Sequence, residues 1–212
     1  MKPYILWDHD GVLVDTEHWY FEATRRAIEP LGVTLDKARY LQDMALGRPA
    51  WEQARALGAT EAQVREHRNA RDVLYQHYLR TQDIAIDGVT EVLTALADDY
   101  RMAIVTTARR ADFDLIHRDR DIVRHMQFVL ASGDYPRAKP APDPYLAALE
   151  RFGAHAAEAI VVEDSERGLA AAVAAGIDCV VVDNAFVRGQ DFSAATHRID
   201  HLRALPELLA SL

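Results

Sequence analysis

The chain opens on a short apolar stretch, Tyr4-Ile5-Leu6-Trp7, that runs straight into Asp8-His9-Asp10-Gly11. Stretches of the same kind recur at 102–106, 128–131, 159–162 and 179–182. Each is four or five residues long, rich in Val and Ile, and apolar without alternation. A strand covered on both faces reads this way. Between them, apolar positions recur at helical spacing over 90–98, 143–152 and 166–175. Strands alternating with helices predict crossover units and an α/β fold, an open parallel sheet of Rossmann-like type between two helical layers.

Residues 16–83 break this rhythm. They hold no β-rich apolar run, are dense in Ala, Arg, Glu and Leu, and are interrupted near Gly32, Gly47-Arg48-Pro49 and Gly58-Ala59-Thr60. The pattern predicts a small α-helical cap domain at 16–83, inserted into a core built from 1–15 and 84–212.

Ligands of an open parallel sheet bind beyond the carboxyl ends of its strands. What stands there is Asp8 and Asp10 after the first strand, Thr106 and Thr107 at the second, and Glu163 and Asp164 after the fourth. In an extended segment Asp8 and Asp10 fall on the same side. Two carboxylates that close repel unless a cation or a shared proton intervenes. An acidic, all-oxygen site suits Mg²⁺. Lys139 is one of only three lysines among 24 basic residues and sits in a stiff, proline-rich loop, Arg137 to Pro144. A compact ammonium there suits a phosphate held beside carboxylates. In the same loop Asp143 is expected to cap the helix that follows, with Pro144 at its first position.

Composition narrows the choice of partner. The 212 residues suffice for one sizeable core and a smaller appended domain, and half of them are hydrophobic. A net charge of -9 argues against nucleic acid and anionic membrane surfaces, which need a basic face. A small anionic metabolite would need a local cation to hold it. The longest apolar run, 169–177, falls well short of the roughly 18 residues of a membrane span. An aspartate as early as residue 8 comes too soon for a signal peptide. Cys179, the single cysteine, reads as a small buried hydrophobe. A cytoplasmic protein, monomeric or a small homo-oligomer, is expected.

The residues Asp8-His9-Asp10-Gly11-Val12-Leu13-Val14-Asp15-Thr16-Glu17, then Thr106, Lys139 and Glu163-Asp164-Ser165-Glu166-Arg167-Gly168, resemble in order and spacing the four motifs of the haloacid dehalogenase superfamily. Helices inserted directly after the first motif resemble the group that includes phosphoglycolate phosphatases and β-phosphoglucomutases. The resemblance implies Asp8 as nucleophile forming an aspartyl-phosphate and Asp10 as general acid and base. It implies Thr106, Thr107 and Lys139 on the phosphoryl group, and Mg²⁺ held by Asp8, Asp10 (through its backbone carbonyl), Glu163 and Asp164. Glu17, His18, Arg48 and Trp51 are expected to face the substrate from the cap. His9 stands where an apolar residue is usual and is expected to point away from the phosphate; Trp7 replaces the commoner Phe and reads as core. Thr107 stands where such phosphatases often carry Asn.

Asp10 argues against a dehalogenase, which lacks the second aspartate. Phosphonate-cleaving relatives need a cap lysine for a Schiff base, and none lies between Lys37 and Lys139. Mutases carry a lysine before the cap glycine where Leu46 precedes Gly47, and a histidine where Tyr20 stands. The expected activity is therefore Mg²⁺-dependent hydrolysis of a small phosphate monoester, a sugar or organic-acid phosphate. The alternatives are phosphoryl transfer between sugar hydroxyls, as in the mutases, and a non-catalytic phosphate-binding protein.

Overall fold

The computed structural model describes residues 2–212. Six strands, β1 (Tyr4–Trp7), β2 (Arg101–Arg109), β3 (Met126–Ser132), β4 (Ala159–Glu163), β5 (Asp178–Val182) and β6 (His197–Ile199), form one parallel sheet. Their order is β3-β2-β1-β4-β5-β6. The first five are the apolar runs of the sequence. The sixth has no such run, because His197-Arg198-Ile199 is short, carries two polar residues and pairs along one edge only.

Alternation of side chains across each strand explains why those runs are unbroken. Ile5 and Trp7, Met102 and Ile104, and Ile160 and Val162 face one core; Leu6, Ala103, Val105, Ala159 and Val161 face the other. The first core is closed by α5 (Val89–Leu96), α6 (Arg110–Ile116) and α9 (Leu205–Ala210), the second by α7 (Asp143–Phe152) and α8 (Glu166–Ala174). Burying each large aliphatic side chain contributes about 1.5–3 kcal/mol, and β1, buried on both faces, is the anchor of the sheet.

Between the first strand and residue 84 the chain makes α1 (Glu17–Ile28), α2 (Lys37–Ala45), α3 (Trp51–Ala56) and α4 (Glu61–Thr81). They pack on a core of their own that includes Phe21, Ile28, Tyr40, Trp51 and Val64. A capping box starts α4: Thr60 Oγ1 accepts from the Gln63 N–H (3.3 Å), and the Thr60 N–H donates to Gln63 Oε1 (2.9 Å). The chain leaves and rejoins the sheet at adjacent points, where Val14 bridges Ala85 and the Asp15 N–H donates to the Ile84 carbonyl (3.0 Å).

Asp143 does not cap α7 as expected. The helix begins at Asp143 itself, and Arg137 draws its carboxylate away in a two-pronged contact of 2.8–3.1 Å. Among the described residues no helix is long and apolar enough to cross a membrane. From β1 the strand order runs outward to β2 and β3 on one side and to β4, β5 and β6 on the other. A crevice therefore opens at the carboxyl ends of β1, β2 and β4.

Candidate active site

The Asp8 N–H extends the ladder past the end of β1 by donating to the Val162 carbonyl (2.9 Å). Its carboxylate thus emerges at the mouth of the crevice. The chain then turns at Gly11, whose φ is +91° and where a Cβ would lie 1.9 Å from Asp164 Oδ2. Only glycine lets the loop after β1 press this closely on the loop after β4.

Lys139 is buried at the centre. Its Nζ donates to Asp8 Oδ1 (2.5 Å), Glu163 Oε1 (2.7 Å) and the Val105 carbonyl (2.9 Å), which uses all three ammonium hydrogens. Burial alone would lower its pKa, but Asp8 and Glu163 outweigh that and hold it above the ordinary lysine value. Glu163 is as firmly tied. Tyr145 Oη donates to its Oε1 (2.8 Å), while Ser165 Oγ (3.0 Å) and the N–H groups of Asp164 (3.2 Å) and Ser165 (3.3 Å) serve Oε2.

Asp8, Glu163 and Asp164 each place an oxygen within 4.8 Å of the others. Of the three, Glu163 has both oxygens taken up by the contacts that fix Lys139. Burial and the nearby Glu163 carboxylate push Asp8 up to about 6 in spite of Lys139. Burial and Asp8 likewise push Asp164 well above the carboxylate range, with Asn184 Nδ2 on its Oδ2 (2.6 Å) opposing this. Carboxylates destabilised in this way are those a bound cation would relieve, and their oxygens suit a hard one.

Asp10 belongs to a separate network. Its Oδ1 accepts from Thr16 Oγ1 (2.5 Å), its Oδ2 from Thr106 Oγ1 (3.2 Å), and His9 Nδ1 lies 3.2 Å from that second oxygen. Burial would raise its pKa, but His9 and the two hydroxyls hold it below the usual range. The Thr106 hydroxyl, expected on a phosphoryl oxygen, is here committed to Asp10 and accepts from the Ala108 N–H (3.0 Å). His9 packs against Phe113 and His117, with its Nε2 2.8 Å from that of His117. Burial pushes His117 down to about 3, so it is neutral. Trp7 and Cys179 are core, as expected.

Two cavities adjoin this centre. One, of about 190 Å³, is lined by Asp10, Glu17, Tyr20, Tyr75, Thr107, Asp112 and Arg167 among others. Burial raises Glu17 to about 8, against the pull of Arg167 3.9 Å away. The other, of about 230 Å³, is lined by Arg48, Trp51, Arg68, Arg71, Lys139 and Arg167, together with Tyr20 and Tyr40. Five basic side chains and no carboxylate face it. Of the four residues expected to reach the substrate, Glu17, Arg48 and Trp51 line these cavities. His18 does not. One helical residue turns the side chain by about 100°, so an inward Glu17 sends His18 outward, where it lies edge-on to Trp19 and Phe186. Thr107 lines the first cavity and accepts from Arg167 Nη2 (3.2 Å).

Several residues here carry no expectation from the sequence. Asn184 follows β5 and falls to the same rule that located the other strand-end residues. Arg167 lies within the fourth motif. Tyr145, Arg71 and Tyr40 lack any local signal, because helix packing alone turns them inward.

The sequence profile of the haloacid dehalogenase-like hydrolases matches residues 5–182. The chain belongs to that family. It is an enzyme whose similar relatives include Protein CbbY of Rhodobacter capsulatus, 30% identical over 221 residues, 96% of this chain and 97% of that one. Another is fructose-1-phosphate phosphatase YqaB of Escherichia coli K12, 27% identical over 84% of this chain and 95% of that one. The fold is shared with a mutant CbbY from Rhodobacter sphaeroides in complex with xylulose-(1,5)bisphosphate, at a TM-score of 0.79 and 22% identity over 95% of each chain.

Proposed function

We propose that this haloacid dehalogenase-like hydrolase is a Mg²⁺-dependent phosphatase that hydrolyses a small phosphate monoester through an aspartyl-phosphate on Asp8. The observation that carries this reading is the buried Lys139 ammonium locked onto Asp8 Oδ1 at 2.5 Å, with Asp164 beside it and Asp10 in its own network. An Asp8 oxygen forms a bond to phosphorus as the bond to the leaving alcohol breaks, and the Asp10 proton goes to that alcohol's oxygen. The Asp10 carboxylate then takes a proton from water. The water oxygen bonds to phosphorus, the Asp8–phosphorus bond breaks, and inorganic phosphate leaves.

Asp10 rests ionised, the form needed for the second step. An incoming phosphate dianion raises its pKa by like-charge repulsion and so favours the protonated form that the first step needs. Lys139 offsets charge on Asp8 and on the transferring group, while Thr106 and Thr107 supply hydroxyls. Asp8 and Asp164, with the Asp10 backbone carbonyl, would hold Mg²⁺, and Glu163 would act behind them through Lys139. Bound there, the ion would stabilise negative charge on the phosphoryl oxygens.

The carboxylate-free cavity points to a substrate with a second anionic group, since arginine forks match phosphate and carboxylate. The relatives' names, a fructose-1-phosphate phosphatase and a protein bound to a ketose bisphosphate, support phosphorylated sugars as the class. Tyr20 on the wall of both cavities favours a phosphatase over a mutase.

The test is release of inorganic phosphate from fructose 1-phosphate and a ketose bisphosphate, with Mg²⁺ and with EDTA, alongside conversion of β-glucose 1-phosphate. Mg²⁺-dependent release is expected, with kcat/KM at least about ten-fold higher for the bisphosphate, as one added ion pair to arginine allows. Release that survives chelation, or sugar-phosphate interconversion without release, refutes the reading.

A further inference from the structure

Two of the cations that line the carboxylate-free cavity are buried, Lys139 and Arg71. Lys139 has spent all three of its hydrogens on Asp8, Glu163 and the Val105 carbonyl. Arg71 has not. Its guanidinium lies 4.5 Å from the centre of the Tyr20 ring and 6.0 Å from that of Trp51, and its Nε donates to Asp72 Oδ1 (2.6 Å). Among the described residues no acceptor meets its two terminal nitrogens.

Asp72 does more than hold Arg71. Its other oxygen, Oδ2, accepts from Arg109 Nη1, and Arg109 in turn grips Asp112 through Nε (2.8 Å) and Nη2 (2.9 Å). Arg71 and Asp72 belong to the inserted helix α4, whereas Arg109 ends β2 and Asp112 lies in α6. One turn after Asp72, Gln76 Nε2 donates to Asp112 Oδ1 (2.9 Å), a second tie from α4 to the same place. Arg71, Asp72, Arg109 and Asp112 thus alternate in charge along a row. The row is neutral as a whole, with its positive end at the cavity without acids and its negative end at the other cavity.

We propose that Arg71 is the specificity-determining residue for the second anionic group of the substrate, and that Asp72, pinned to the end of β2 by Arg109, is the positioning residue that aims it. The proposal rests on the phosphatase reading above and names the side chain that selects within it. A guanidinium meets a phosphate or carboxylate with two parallel N–H bonds once its plane is fixed. Tyr20 on its face and Asp72 on Nε fix the plane of Arg71, which leaves the terminal edge for a ligand. Keeping those donors buried without an acceptor is costly, and an anion in the cavity removes that cost. Arg48 and Arg68 are exposed and give up rotamer freedom on binding. Arg167 already spends Nη2 on Thr107 (3.2 Å). Asp72 can stand beside an anion site because Arg109 offsets its charge.

The sign of an Asp72 substitution separates aiming from plain electrostatics. Removing a negative charge beside an anion site strengthens anion binding by charge alone, whereas removing the group that aims Arg71 weakens it. The experiment measures kcat and KM for fructose 1-phosphate and fructose 1,6-bisphosphate, which differ by one phosphate. The proteins are wild type, Arg71→Met, Asp72→Ala and the double variant, with melting curves for each. Wild type is expected to favour the bisphosphate at least about ten-fold in kcat/KM. Arg71→Met should bring that ratio to within about three-fold of one, through the KM for the bisphosphate and not through kcat. Asp72→Ala should lower the ratio at least about five-fold although a negative charge is lost. The double variant should lie within about two-fold of Arg71→Met, since Asp72 acts only through Arg71.

A ratio that rises or holds in Asp72→Ala, or that falls clearly further in the double variant than in Arg71→Met, overturns the proposal. So does a wild type that releases phosphate without preferring the bisphosphate, a result that leaves the phosphatase reading intact. Release from neither substrate overturns both. Should Asp72→Ala fail to fold, Arg109→Gln takes its place, at a side chain 42% exposed. It should lower the ratio in the wild-type background and leave it unchanged beside Arg71→Met; equal losses in the two backgrounds are fatal.

Discussion

Replacing Asp8 with Asn should abolish turnover and at the same time make the metal-free protein harder to melt. Asp8 has its pKa raised from 3.8 to about 6 by burial and by the Glu163 carboxylate. Each unit of such a shift is worth about 1.4 kcal/mol. Because the folded pKa lies above the unfolded one, keeping the group ionised costs the fold stability above pH 6. The cost, about 3 kcal/mol, is fully present at pH 7.5 and fades as pH falls from about 6 towards 3.8. Asn keeps an acceptor for Lys139 Nζ without the charge. For a chain of this size, 1 kcal/mol moves Tm by about 2–4 °C, so Asp8→Asn should melt several degrees above wild type in EDTA at pH 7.5. Mg²⁺ should close most of that gap by stabilising wild type more than the variant. Thermal unfolding of both proteins, with EDTA and with Mg²⁺, makes the measurement. A variant that melts at or below wild type in EDTA, or equal stabilisation of both by Mg²⁺, refutes the electrostatic account. A tenth of the wild-type rate surviving in the variant refutes Asp8 as nucleophile.

Gly168→Ala should cripple the site from behind, because its Cβ would meet Glu163 Oε1 at 1.8 Å and so displace the carboxylate that fixes Lys139. A loss of about 1–3 kcal/mol by urea unfolding is expected, together with a fall in kcat; a variant with wild-type stability and rate contradicts this packing. His117, with its pKa lowered from 6.5 to about 3, refuses a proton that the unfolded chain accepts, so its contribution falls as pH drops from 6.5 towards 3. The loss is at most about 1.4 kcal/mol per pH unit, and urea unfolding between pH 7 and pH 5 should show a flatter profile for His117→Phe than for wild type, equal slopes counting against a buried neutral imidazole.

Much of this protein is written in short stretches of sequence. The apolar runs predict five of the six strands because a strand covered on both faces needs no polar position. β6 escapes because an edge strand can be short and polar. Asp8, Asp10, Lys139 and Asp164 are legible because a parallel sheet brings the carboxyl ends of its strands to one crevice, whatever the rest of the chain does. Roles within that crevice are another matter. Glu163 and Asp164 are neighbours in sequence, yet one is tied to Lys139, Tyr145 and Ser165, while the other turns towards Asn184. Glu17 and His18 are equally polar, and only the packing of α1 decides which of them faces inward.

The sequence by itself therefore determined five strands of the sheet, the inserted helices and which polar side chains gather at the strand ends, since each depends on local pattern or on strand topology. Tertiary structure alone decided which carboxylate is tied up by Lys139, Tyr145 and Ser165, which arginines meet in a cavity without acids, and that His117, 108 residues away, reaches His9. Those outcomes depend on side-chain directions and close packing between distant segments, and no local pattern of residues encodes them.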